Sequence, residues 1–233
     1  MSVFQFKQFS IHQENTALKV GTDAMVFGAL LPSNSEGLAL DVGTGTGVLA
    51  LMLAQKNNAL QIDALELDTL AIKDAQFNFS QSKFNRQLRL YQGDFLDFTF
   101  PKKYDLIVSN PPYFQQSLKS MDEHKNKARH DETMPLNLMI PQVAKILNPG
   151  GHFWLILPAS SWEKLKIICF ENGLFLNEEI AIFGKANSLS RKIGKFSFKQ
   201  EDITQKNLVI RDLENNYSSD YKKLTQEFHS KEL

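Results

Sequence analysis

The sequence predicts an α/β fold, a mostly parallel sheet with helices on both faces and an antiparallel edge. Two observations predict it. Between residues 38 and 183, short β-forming runs alternate with single helical segments, the spacing of βαβ units whose sheet is covered on both sides. Two later runs, residues 195–199 (KFSFK) and 207–210 (NLVI), have no helix between them, which predicts antiparallel pairing. The 233 residues are 42% apolar, 22% charged and 11% aromatic. That composition suits one globular domain and excludes collagen-like, disordered and disulfide-scaffold chains.

The elements follow in order. Residues 38–42 (LALDV) read as a buried strand, followed by Gly43-Thr44-Gly45-Thr46-Gly47 and an apolar helix over 48–55. Residues 61–66 (QIDALE) are a second strand, and Thr69 is placed to cap a helix reaching about residue 81. Residues 88–91 and 104–109 (YDLIVS) are the third and fourth strands. A helix over 136–147 contains Pro141, which should kink or split it. Asn148-Pro149-Gly150-Gly151 reads as a turn before a fifth strand, 152–157. Ser160-Ser161 opens a helix to residue 171, Gly173 is its C-cap, and 174–183 is a sixth strand. The expected organisation is an N-terminal extension over 1–36, a core over 37–213, and a C-terminal helix and tail over 214–233, forming a single domain overall.

Charge and composition narrow the function. Twenty-six basic and twenty-six acidic residues cancel, so a nucleic-acid partner must be held by a local basic patch. No apolar run reaches the ~18 residues that span a bilayer, and residues 1–7 carry no signal-peptide core. The one cysteine, Cys169, forms no internal disulfide. A cytoplasmic protein without a membrane partner is expected. His12, His124, His130, His152 and His229 show no ligand spacing with Cys169 or carboxylates, so no metal is expected. Cys169, Trp154 and the dispersed methionines read as packing, and Trp162 as core or rim.

Two motifs carry chemistry. The glycine stretch follows a strand and opens a helix, so its backbone allows a ligand to approach closely. Glu66 ends the next strand, placed to bind a ribose diol. The third glycine comes one residue early for a dinucleotide fingerprint, and no Gly-Lys-Ser/Thr follows, so a nucleoside-containing cofactor other than a dinucleotide or triphosphate is indicated. The second motif, Asn110-Pro111-Pro112-Tyr113, sits at the carboxyl end of the fourth strand, where open α/β sheets bind ligands. The Asn110 side-chain carbonyl and the Pro111 backbone carbonyl are two acceptors for one planar amino group. Pro112 stiffens the edge and Tyr113 offers a ring for stacking.

These motifs, with Gly93-Asp94-Phe95 between them, resemble the ordered motifs of class I S-adenosylmethionine-dependent amino-methyltransferases. The N-terminal Phe4-Gln5-Phe6-Lys7-Gln8-Phe9, with Lys19-Val20-Gly21-Thr22-Asp23-Ala24, is similar to the bacterial tRNA1(Val) (adenine(37)-N6)-methyltransferase family. Arg129-His130 and Tyr217-Ser218-Ser219-Asp220-Tyr221 fit it as well. The C-terminal end, residues 228–233, departs from the aromatic-rich tail expected there.

The resemblance implies a Rossmann-like fold with a seven-stranded, mostly parallel sheet and an antiparallel edge strand. It implies S-adenosylmethionine as donor and methylation of an adenine N6 in tRNA. Gly43, Gly45 and Gly47 would pass beside the donor's methionine portion, and Asp41 would hold the loop or contact the donor through water. Glu66 would accept the ribose hydroxyls, Asp94 the adenine amino group, and Phe95 would offer its backbone N–H. Lys19, Thr22 and Asp23 would close over the donor, which Asn110 also borders. Asn110, Pro111, Pro112 and Tyr113 would form the catalytic edge, Tyr113 stacking the target base. Lys125, Lys127 and Arg129, or Arg191, Lys192 and Lys195, would hold RNA phosphates, the second run carrying no acid from 185 to 199. A monomer is expected. The alternatives are a glutamine N5-methyltransferase, for whose extra helical domain 36 residues leave little room, another RNA or DNA amino-methyltransferase, and a non-catalytic donor- and RNA-binding module.

Overall fold

A computed structural model describes residues 2–16, 18–33, 37–111, 135–185 and 188–230. Strands β1 (Val3–Gln5) and β2 (Ser10–His12) form an antiparallel hairpin, followed by α1 (Thr22–Leu30). Then come β3 (Leu38–Val42), α2 (Val48–Lys56), β4 (Gln61–Glu66), α3 (Thr69–Gln81), β5 (Leu88–Gln92) and β6 (Tyr104–Ser109). After the next described segment begins, α4 (Leu136–Ile146) leads into β7 (Leu147–Pro158), α5 (Trp162–Glu171), β8 (Phe175–Lys185), β9 (Leu189–Ser197), β10 (Thr204–Arg211) and α6 (Ser219–Thr225).

The main sheet runs β10-β8-β9-β7-β6-β3-β4-β5. Strand order reverses beside β3: the chain steps out through β4 and β5, then returns to β6 on β3's other side. That reversal opens a crevice at the carboxyl ends of β3 and β6. The α/β architecture expected from the sequence holds, with two corrections. The sheet has eight strands rather than seven, because β10 pairs parallel to β8. The antiparallel strand, β9, is not at the edge but lies between β7 and β8. Its sequence, LSRKIGKFS, is charged enough to suggest an edge, yet Ile193 and Phe196 are fully buried, and Arg191 and Lys192 find acids, Asp23 and Glu179, on neighbouring elements.

Two cores line the faces. One gathers α1, α2, Phe79 of α3, the β1–β2 hairpin and the C-terminal Tyr221 and Phe228. The other gathers α4 and α5 around Phe153, Trp162 and Phe196. In α2 every residue from Val48 to Ala54 is buried, because α1 covers the side that the sheet does not. Gly28 of α1 makes this approach possible: a Cβ there would lie 2.3 Å from Met52 Sδ. The N-terminal extension is thus integral to the first core, and the Lys7 N–H donates to the Phe228 carbonyl, 2.8 Å.

Three local expectations are corrected. The cap of α3 is Asp68, whose carboxylate accepts from the Leu70 and Ala71 N–H groups, whereas Thr69 is already helical. Helix α4 runs through Pro141 unbroken. An interior proline costs about 3 kcal/mol. Burial of Met139, Ile140, Val143 and Ile146 returns about 1.5–3 kcal/mol for each side chain, so packing wins. Asn148-Pro149-Gly150-Gly151 is not a separate turn but an irregularity within β7, whose register on β6 jumps from Tyr104↔Leu147 to Leu106↔His152. Asn148 anchors it by donating to Asp105 Oδ1, 2.6 Å. Helix α5 ends as expected: Gly173 has φ +73°, its N–H donates to Phe170 O, and the Leu174 N–H donates to Cys169 O, a Schellman motif.

Candidate active site

Four adjacent strands deliver the expected site residues to one edge. Val42 pairs with Ser109 on one side and Leu65 on the other, and Glu66 pairs with Gln92. Asn110, Gly43, Glu66 and the Gly93-Asp94 turn therefore leave the sheet side by side, each roughly 5 Å from the next. The row spans roughly 15 Å, enough for an extended nucleoside with a substituent. Ser109 fastens its middle, its hydroxyl donating to the Val42 carbonyl at 2.9 Å.

The glycine loop has a left-handed backbone at three alternate positions, Gly43 (φ +69°), Gly45 (φ +57°) and Gly47 (φ +82°). These glycines do different things. A Cβ on Gly43 or Gly45 would meet nothing within 4 Å, whereas one on Gly47 would lie 2.3 Å from Phe79 Cε1. Gly43 and Gly45 thus border open space, while Gly47 seats the loop on α3. Glu66, half-buried, closes the other side. Its Oε2 accepts from the Gly45 N–H at 2.7 Å, and its Oε1 from the Leu67 and Asp68 N–H groups at 2.9 Å each.

Beneath the loop, Asp41 is fully buried. Its Oδ2 accepts from the Thr44 hydroxyl at 2.6 Å, while Oδ1 has no partner among the described residues. Burial pushes its carboxyl up to about 7, and the Glu66 charge adds to this. The Thr44 hydroxyl bond opposes the rise, as does the Ala50 backbone N–H, which completes no hydrogen bond to Oδ1. Asp94 Oδ1 accepts from the Leu96 N–H at 2.9 Å, and Phe95 anchors the turn by burying its ring in the second core. Asn110 is half-buried and Pro111 buried. Pro112, Tyr113, Lys125, Lys127 and Arg129 lie outside the described residues.

The remaining expected residues do not form one patch. Lys19 and Thr22 are exposed at the start of α1. Asp23 accepts from Arg191 Nε at 2.9 Å, and Arg191 lies opposite Pro158, the last residue of β7. The beginning of α1 is thereby held at the carboxyl edge. Lys192 points to the opposite face. Its ammonium pairs with Glu179 at 2.6 Å, with side chains only 19% and 12% exposed, and Glu179 also accepts from Trp162 Nε1 at 2.6 Å. Lys195 lies opposite Trp154, about 13 Å from Arg191 toward the amino end of the sheet. The run without acids therefore does not build the continuous basic surface expected of it: strand alternation splits it and Glu179 neutralises one member. Sequence reasoning also missed Asp74 and Asn78 on α3. Their signal was a pair of polar residues four apart among Ala71, Ala75 and Phe79, on a face that is otherwise apolar.

Among the described residues there is no group of three or more metal-ligating side chains and no helix long and apolar enough to cross a membrane. Cys169 is buried, and burial pushes its thiol up.

Residues 15–161 match the family model "Methyltransferase small domain". A tRNA1(Val) (adenine(37)-N6)-methyltransferase from Bacteroides fragilis is 37% identical over 232 residues, covering 98% of each chain. One from Actinobacillus pleuropneumoniae serotype 7 is 40% identical, covering 97% of this chain and 96% of its own. Among solved structures, an Agrobacterium tumefaciens protein described as a predicted O-methyltransferase superposes with a TM-score of 0.69 at 15% identity, covering 89% of this chain and 97% of its own. A glycopeptide N-methyltransferase complexed with S-adenosylmethionine superposes with a TM-score of 0.55 at 14% identity, covering 76% and 93%. At these identities the structural likeness shows the fold.

Proposed function

We propose a methyl transfer to adenine 37 of tRNA1(Val) from one premise: this chain belongs to the tRNA1(Val) (adenine(37)-N6)-methyltransferase family. It is an S-adenosylmethionine-dependent enzyme that methylates the N6 amino group of adenine in tRNA. The observation that carries the division of labour is the pairing of Val42 with Ser109, which makes the glycine loop and Asn110 neighbours at the switch point of the sheet. Donor and acceptor sites are then contiguous, as direct transfer between them requires.

The residues fit a nucleoside-bearing sulfonium donor. Gly43 and Gly45 face open space, Asp41 carries a buried oxygen without a partner, and Glu66 presents a carboxylate aimed by three N–H groups. In the proposed arrangement the glycine loop receives the methionine portion, Glu66 the ribose hydroxyls, and Asp94 with the Phe95 N–H the adenine. Lys19, Thr22 and Asp23 border the donor from α1 and the segment before it. When bound, S-adenosylmethionine supplies an electrophilic methyl group.

The exocyclic nitrogen of adenine is a weak nucleophile because its lone pair is delocalised into the ring. The Asn110 side-chain carbonyl and the Pro111 carbonyl would accept its two hydrogens, favouring the pyramidal, more positive nitrogen of the transition state. No strong base is needed before attack, since the proton becomes acidic once the methyl has transferred. Pro112 stiffens this edge. Tyr113 stacks the splayed base, because a base in an anticodon loop must leave its stack to be reached. Lys125, Lys127 and Arg129 hold phosphates, with Arg191 at the rim; Lys192 and Lys195 are withdrawn from this role by their positions. A tRNA substrate supports a cytoplasmic setting, and the enzyme is proposed to act as a monomer.

The test is transfer of tritiated methyl from S-adenosylmethionine to total tRNA, followed by nucleoside analysis. Label in N6-methyladenosine supports the reading. Label in another nucleoside, or in protein glutamine, refutes it.

A further inference from the structure

We infer that Asp74 and Asn78 are positioning residues that fasten the N-terminal segment to the glycine loop, so that donor affinity depends on two side chains outside the row of binding residues. The inference rests on the reading of that loop as the donor site. The two residues are four apart on α3, hence on one side of it, and are 3% and 1% exposed. Polar groups so deeply buried are costly unless paired, and these are paired in full view. Asp74 Oδ2 accepts from the Asn15 and Thr16 N–H groups at 2.9 and 2.8 Å, and its Oδ1 from Asn15 Nδ2 at 2.7 Å. Asn78 Oδ1 accepts from the His12 N–H at 2.8 Å, while its Nδ2 donates to the carbonyls of His12 and Thr46, both at 2.9 Å.

Thr46 lies between Gly45 and Gly47, so one amide group bridges His12, the last residue of β2, and the glycine loop. The next residue of α3, Phe79, supports Gly47 from below. A loop with three left-handed glycines has many conformations open to it, and its single geometry must be imposed from outside. Glu66 on the Gly45 N–H is one restraint, and Asn78 on the Thr46 carbonyl is a second. The same segment leads to Lys19 and Thr22, with Gln13 Oε1 accepting from the Val20 N–H at 2.8 Å. Holding residues 12–16 therefore also sets where α1 begins.

The experiment is calorimetric titration of the full chain with S-adenosylmethionine, well below the melting temperature. The variants are Asn78→Ala, Asp74→Asn and a control, Asn177→Ala. Asn177 is likewise buried and donates to the Lys199 carbonyl at 2.9 Å, away from the loop. Asn78→Ala should weaken donor binding roughly tenfold, the scale of one buried hydrogen bond. Hydrogen exchange should rise together in residues 12–20 and 43–47. Asn177→Ala should lower the melting temperature yet bind the donor as wild type does. If Asn78→Ala does not fold, Asp74→Asn carries the test. It loses the bond to Asn15 Nδ2 while keeping an acceptor for the two N–H groups, and should weaken binding roughly two- to fivefold. Wild-type affinity in every folded variant at positions 74 and 78, or equal loss in Asn177→Ala, overturns the inference. Wild-type protein that binds no S-adenosylmethionine overturns the donor-site reading itself, and the inference with it.

Discussion

Replacing Glu66 by glutamine keeps the volume of the side chain and exchanges one carboxylate oxygen for an NH2 group. In the structure three backbone N–H groups converge on that carboxylate: Gly45 on one oxygen, Leu67 and Asp68 on the other. An amide oriented to accept from Leu67 and Asp68 must point its NH2 at the Gly45 N–H. Flipped, it points the NH2 at two N–H groups. Either way at least one donor faces a donor: the first orientation releases the Gly45 N–H, and the flipped one releases those of Leu67 and Asp68. A hydrogen bond to a charged group is worth about 1.5–3 kcal/mol, so S-adenosylmethionine should bind about 10- to 150-fold more weakly. Glu66→Ala, which removes both oxygens, should lose at least as much. The fold should survive, because Glu66 is a half-buried strand end outside both cores. Calorimetry with S-adenosylmethionine, and a separate titration with tRNA, checks this. Glu66→Gln with wild-type donor affinity would refute the ribose assignment, as would a variant that loses only tRNA binding.

Three further outcomes are expected. Asn110→Ala should lower kcat by roughly 10²-fold or more, the scale of deleting one preorganised electrostatic group, with donor affinity near wild type; a calorimetric loss of donor binding would move Asn110 to the donor site. Asp41 sits near 7 in the folded chain against 3.8 as a free side chain, so folding takes up a proton between about pH 4 and 7 and this group's contribution to stability falls as pH rises through that window. Asp41→Asn should gain stability relative to wild type by about 2–3 kcal/mol on going from pH 5 to pH 8, and a pH-independent difference in denaturant unfolding would contradict the burial argument. Changing Lys125, Lys127 and Arg129 together to Ala should make the slope of log K against log salt for tRNA shallower by about 2–3 units. Lys192→Ala should leave that slope unchanged while lowering the melting temperature, because it strands Glu179; the opposite pattern would return RNA docking to β9.

The parallel part of the sheet was legible because β3, β4 and β6 are short apolar runs with turn chemistry at their ends, and burial on both faces demands that pattern. The same alternation put the glycine loop, Glu66 and Asn110 at strand ends, so most of the site row could be read without coordinates. What escaped depends on neighbours distant in sequence. Lys192 reads as an exposed cation until β8 brings Glu179 beside it. The charges of β9 disguise an internal strand for the same reason. Pro141 and Asn148-Pro149-Gly150-Gly151 carry strong local signals, and each was overruled, one by helix burial and the other by the tie between Asn148 and Asp105. Asp74 and Asn78 look like ordinary helix-surface polar residues because their partners lie 32 to 66 residues upstream.

The most direct measurement of the central claim compares two transcripts of tRNA1(Val) that differ only at position 37, incubated with the protein and tritiated S-adenosylmethionine. The transcript with adenine at that position should take up label recovered as N6-methyladenosine, and the transcript with guanine should take up none. Equal labelling of both would place the methyl elsewhere and contradict the account.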